Sequence, residues 1–135
     1  MKLTLEVAKK IAKAAHAKAK EMSIPAVIAI VDEGANLLLL ERTEGSMIAG
    51  IALSQDKAYT AAATGFDTHQ IAPLAQPGQL GFGLAGSDRG RLIVFAGGLV
   101  LRSENAVVGG IGVSGGLAPQ DQEIAQAGAD ALASL

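Results

Sequence analysis

From Leu5 to Met22 the apolar residues return at helical spacing: Leu5, Ala8, Ile11, Ala12, Ala15, Ala19 and Met22. Lysines and glutamates fill the opposite face, and Thr4 stands where a hydroxyl can cap the first turn. Past Pro25 the pattern changes. "AVIAIVD" (26–32) is a β-branched run that reads as a buried strand. Glu33-Gly34-Ala35-Asn36 is a turn, and "LLLLER" (37–42) returns as a second strand, so residues 26–42 predict a hairpin. Gly45-Ser46 closes it. With Ser46 as cap, a second helix is expected from Met47 to about Thr64, with Ile48, Ile51, Ala52, Tyr59 and Ala62 available for burial.

Residues 65–90 have no clean period. Thr68 opens a short helix that must kink or stop by Pro73, and "QPGQLGFGLAGSDRG" reads as an ordered loop. Loops of this length inside a compact domain are more often functional than idle. "RLIVFAGG", "LVLRS" and "AVVGGIGVSGG" then predict two or three strands, with Glu104-Asn105 at a tight turn where Asn tolerates a left-handed backbone. Ala118-Pro119 begins a last helix with Pro in its first turn, Asp121 and Glu123 suit its positive end, and it runs to about Ala133. Clustered hairpins between helices predict an α+β fold. The expectation is a mainly antiparallel β-sheet of about five strands packed against helices, an α/β sandwich, as a single domain over 1–135.

Composition narrows the function. Half of the 135 residues are hydrophobic but only 3% are aromatic, so the core must be built from Ala, Val, Ile and Leu. The mean hydropathy of +0.36 fits either apolar surface buried between subunits or simply an alanine-rich core. Net charge is −2, with no basic–aromatic interleaving, which argues against nucleic acid. Lys2, Lys9, Lys10, Lys13, Lys18 and Lys20 are explained as the wet face of the first helix. Cysteine is absent, excluding disulfides, thiolate metal sites and thiol nucleophiles. No apolar run approaches the roughly 18 residues of a membrane span. The amphipathic, charged N-terminus does not read as a signal peptide, so the cytoplasm is the expected location.

Two motifs look like chemistry. Gly110–Gly115 matches GxGxxG between a strand and a helix. Only 20 residues follow Gly115, however, too few for the second strand that carries the acidic partner of a dinucleotide fold. Gly112-Val113-Ser114-Gly115-Gly116 matches the nucleophile elbow G-x-S-x-G, but both histidines precede Ser114, whereas that fold places its histidine after the serine. Close backbone approach explains the glycines better. The amides of Gly115 and Gly116, at a helix N-terminus, remain candidates for holding an acidic group of a ligand.

His16 lies just beyond the edge of the first helix's apolar stripe, beside Ala12 and Ala19. The alanines leave room for a flat ligand against the helix. One imidazole suffices as an axial ligand to haem iron, whereas zinc would need a cluster that is not there. His69, near the start of the short helix, is a second and weaker candidate.

"VVGGIGVSGGLAPQDQEIAQAG", "DKAYTAAATGF", "PAVIAIVDEGANLLLLER", "LAQPGQ" and "FAGG", together and in order, resemble the GlcG/HbpS-like family, which includes the C-terminal domain of PduO-type proteins. The resemblance covers essentially the whole chain. It departs at Leu99-Val100, where many relatives have a proline, and at Asn105, which replaces a common turn glycine. It implies an antiparallel sheet flanked by helices and a homo-oligomer, from a dimer up to an octamer. It also implies haem as ligand, with a corrinoid associated with the PduO-type branch. In that branch a first-helix histidine is the haem ligand, and His16 stands in the matching region. The leading expectation is therefore a cytoplasmic oligomeric protein that binds haem or a related tetrapyrrole, accessory to glycolate, diol or glycerol metabolism. His16 would be its metal ligand and Gly115 and Gly116 would anchor an acidic group, with no catalytic residue assigned. The alternatives are a small enzyme acting on a hydroxy-acid or diol, with Asp32, Arg42, Asp56, Lys57 and Ser114 as its polar groups, or a structural assembly partner of such an enzyme.

Overall fold

The computed structural model describes residues 1–135. Its elements are α1 (Leu5–Glu21), β1 (Val27–Asp32), β2 (Leu37–Arg42), α2 (Gly50–Thr64), α3 (Thr68–Ile71), β3 (Gly98–Ser103), β4 (Ala106–Ser114) and α4 (Ala118–Ala133). The strands form one antiparallel sheet in the order β2-β1-β4-β3. The α+β class holds, with four strands rather than about five. "RLIVF" does not pair as a strand because α2 takes its polar backbone. The Ile93 N–H donates to Thr60 Oγ1 at 3.0 Å, and the Arg91 carbonyl oxygen lies 3.1 Å from the same hydroxyl oxygen, which also has the Asp56 carbonyl oxygen at 2.7 Å.

Local chemistry sets the boundaries. Thr4 Oγ1 accepts the Val7 N–H and starts α1. Asp32 Oδ1 accepts the N–H groups of Gly34 and Asn36, both at 2.9 Å, and shapes the β1–β2 turn. Glu104 and Asn105 both have positive φ, as a two-residue turn between β3 and β4 requires. α2 starts at Gly50 rather than Met47. Ser46 Oγ donates to the Thr43 carbonyl and caps no helix.

The sheet's two faces are covered differently. α1 and α4 lie together on one face. There Ile28, Ile30, Leu99, Leu101, Ile111 and Val113 pack against Ala8, Ile11, Ala12, Ala15, Ile124 and Ala125. α2 lies on the other face, where Ala29 and Val31 meet Ala58 and Ala62. A Cβ at Gly112 would come within 2.0 Å of the Ser54 carbonyl oxygen, and one at Gly110 within 2.4 Å of that of Ala58. The glycine run thus lets a helix backbone lie almost on the strand. α2 buries Ser54, Lys57, Ala58, Thr60 and Ala61 against the sheet, whereas Ile48 and Ile51, expected inside, face outward. No helix is long and apolar enough to cross a membrane.

Candidate functional site

α1 turns its alanine face to the sheet and leaves His16 at the edge, with its side chain 24% exposed. The opposite wall is the end of β2 and the residues after it, Glu41 to Glu44. That wall is fixed to the start of the first hairpin by Thr43. Its Oγ1 accepts the Ala26 N–H at 3.0 Å and donates to the Ala26 carbonyl at 3.2 Å. Between the walls is an open cleft of about 600 Å³, bounded also by Ala19, Lys20, Ser23, Ile24, Pro25 and Arg42.

The imidazole has two different nitrogens. Nε2 is 3.0 Å from Glu41 Oε1. Because the carboxylate accepts, Nε2 carries the proton in the neutral ring. Nδ1 is buried and has no partner. The Glu41 side chain is half exposed. Lys20 and Arg42 bring two positive charges to the same cleft and make no ion pair there.

The residues present fit a haem better than a bare metal ion. No group of three or more His, Cys, Asp or Glu side chains converges, so a closed zinc site has no ligand set. A single imidazole is enough for haem iron. The cleft's volume lies within the roughly 300–1,000 Å³ of small-molecule sites. Ala19, Ile24 and Pro25 offer apolar surface to a flat ring, and Lys20 and Arg42 offer charge to its carboxylates.

The other sequence candidates are scattered. Gly115 and Gly116 do not line this cleft. The Gly116 N–H already donates to Asp121 Oδ1 at 2.8 Å, and a Cβ at Gly115 would meet the Pro25 carbonyl oxygen at 2.3 Å. His69 is exposed, with its Nδ1 3.3 Å from Gln122 Nε2. Ser114 is buried at the end of β4, and the partners of the two histidines are Glu41 and Gln122, so no serine–histidine pair forms. Asp32 is spent on its turn and Asp56 pairs with Arg91 at 3.2 Å. Of these five polar candidates only Arg42 reaches the cleft.

Sequence reasoning missed Glu41 and the pairing of Lys57 with Asp121. Glu41 shares a strand face with buried Leu39, and that alternation was the available signal that it points toward α1. Lys57 is 1% exposed. Its Nζ donates to the Val113 carbonyl at 2.7 Å and to Asp121 Oδ2 at 3.1 Å, and stands 5.4 Å from the centre of the Phe95 ring. Burial lowers its pKa, opposed by the charge and hydrogen bond of Asp121. The pair joins α2 on one face to the first turn of α4 on the other. Its signal was Lys57 falling on the same helical face as Ser54, Ala58 and Ala61.

Comparison with known proteins agrees with this architecture. An uncharacterized 15.0 kDa protein of the dhaT-dhaS intergenic region of Citrobacter freundii is 38% identical over 133 residues, spanning 98% of this chain and 94% of that one. The crystal structure of Klebsiella pneumoniae protein ORFY superposes with a TM-score of 0.97 at 37% identity, covering 98% of this chain and 92% of that chain. The crystal structure of a PduOC:haem complex superposes with a TM-score of 0.94 at 30% identity, covering 97% and 95%. Residues 3–130 match the family described as haem degrading protein HbpS-like, and the chain belongs to that HbpS-like family.

Proposed function

We propose that this protein binds haem in the α1–β2 cleft, with His16 as the axial ligand. The observation that carries the reading is His16 itself, a single imidazole set among alanines at the wall of a cleft of haem size. The likeness to a PduOC:haem complex along nearly the whole chain supports it. When bound, haem would supply an iron able to take an imidazole nitrogen as ligand. The chain's residues do the rest. Ala19, Ile24 and Pro25 would offer it apolar surface, Lys20 and Arg42 would attract its carboxylates, and Glu41 would release Nε2.

We assign no catalytic residue: Asp32 is engaged by its turn, Asp56 by Arg91 and Lys57 by Asp121, and Ser114 is buried at the end of β4. The reading extends to a cytoplasmic accessory of hydroxy-acid, diol or glycerol metabolism, which rests on the family resemblance alone. It also includes a homo-oligomer. Ile48 is 84% exposed, Leu80 fully exposed, and Phe82 and Leu117 largely so, on a chain with few charges to spare. Apolar side chains in such number are the kind of surface a partner subunit covers.

The test is a haem titration followed by absorbance, with His16→Ala alongside. A saturable, stoichiometric Soret shift that the variant loses is expected. A shift retained in the variant removes His16 from the site, and no saturable shift in the parent protein overturns haem binding.

A further inference from the structure

We infer that Glu41 is a built-in competitor for His16: it accepts the proton of the one imidazole nitrogen that a ligand can reach, and binding at Nε2 requires that hydrogen bond to break and the ring proton to pass to Nδ1. This deepens the haem reading and rests on it for the identity of the ligand.

Four observations converge. His16 Nδ1 is sealed from solvent and without a partner, so Nε2 is the only nitrogen open to the cleft. That nitrogen is held by Glu41 Oε1 at 3.0 Å. The competitor is also positioned by the fold. Glu41 sits in regular β2 backbone opposite Ile28, on the strand face of buried Leu39, so its Cα is held opposite α1 by the hairpin. Finally, Glu41 has no other ionic partner. Lys20 and Arg42 share the cleft, yet neither pairs with it. The cations are left for the carboxylates of an incoming ligand, while the anion guards the nitrogen.

Glu41 is half exposed, so its carboxylate can swing into water without a burial penalty. The hold is therefore weak and reversible. Removing it is expected to raise haem affinity about two- to fivefold, the range of a partly exposed side-chain hydrogen bond to a carboxylate. The same hold shields Nε2 from small electrophiles in the ligand-free protein.

The experiment compares parent protein, Glu41→Ala, Glu41→Gln and Glu44→Ala. Glu44 lines the same cleft but makes no bond to His16, so it reports the effect of merely removing a negative charge from the rim. Haem affinity is read by titration. Independently, the carbethoxylation rate of His16 by diethyl pyrocarbonate is read by mass spectrometry in ligand-free protein, with His69 as internal reference. Glu41→Ala is expected to bind haem about two- to fivefold more tightly than Glu44→Ala, and to be modified faster at His16 with His69 unchanged. Glu41→Gln, which keeps an acceptor but not the charge, is expected between the two. A haem gain no larger than that of Glu44→Ala, or an unchanged His16 modification rate, overturns the inference. If the parent protein binds no haem, the haem reading fails by itself, and the modification rate alone decides whether Glu41 guards His16.

Discussion

Ile111 and Gly112 are neighbours on β4 and face opposite sides of the sheet, and they summarise two ways of building a core. Ile111 fills space between α1 and α4 with a branched side chain, and Gly128 on α4 is the hole it enters: a Cβ there would lie 2.6 Å from Ile111 Cδ1. Gly112 fills nothing. It lets α2 descend until backbone meets backbone, and the polar groups trapped there, Ser54, Lys57 and Thr60, bond to carbonyls or to Asp121. The first face is stabilised by apolar area and by packing without voids. The second gains little side-chain area and depends on close approach and on satisfying every buried polar group. A chain with so few aromatics needs both solutions.

The comparison is broken most severely at the buried pair. Lys57→Met leaves Asp121 buried without its cation and is expected to cost about 3–5 kcal/mol in denaturant unfolding. Lys57→Met combined with Asp121→Leu is expected to recover much of that loss, since no isolated charge is left behind. If the single variant were as stable as the parent, the second face would not depend on polar satisfaction. Next is Gly112→Ala, whose methyl would collide with the Ser54 carbonyl. It should cost about 3 kcal/mol, the upper end for overpacking, because backbone cannot rotate away as a side chain can. Its counterpart, Ile111→Val, removes one methylene from the opposite face and should cost only about 0.5–1.5 kcal/mol. Equal costs at the two sites would erase the distinction.

The gentlest probe is pH. Burial holds Lys57 below its ordinary value of 10.5, so between the lowered value and 10.5 the unfolded chain binds more protons than the folded one. Stability attributable to this group therefore rises with pH through that window, and below it the cost of burying the charge is fully present. Chemical denaturation at a series of alkaline pH values should show that rise, and the double variant should flatten it.

Helix α1, both hairpins, the left-handed turn at Glu104-Asn105 and the Pro-led start of α4 were all legible, because each is written in residues close together in the chain. The glycine run was legible as close approach, though not which helix approached. The outward turn of Ile48 and Ile51 was not. Apolar residues at helical spacing predict burial, but α2 meets the sheet through small residues that fit against glycine. The extra strand expected from "RLIVF" failed for a similar reason, since its hydrogen bonds go to Thr60 on a helix 31 to 33 residues away.

By itself, then, the sequence determined most of the elements, the turns at Glu33–Asn36 and Glu104–Asn105, the α+β class and the placing of one imidazole at the edge of an alanine face. Only the tertiary structure decided that β1 lies beside β4, that Lys57 meets Asp121 and that Glu41 takes His16. The reason is physical. Periodicity and turn chemistry act over a few bonds, and the residues involved carry the signal themselves. A charge carries no record of which partner it meets 25 or 64 positions away. That choice is made when the packed helices and sheet leave one acceptor within reach and remove water from the rest.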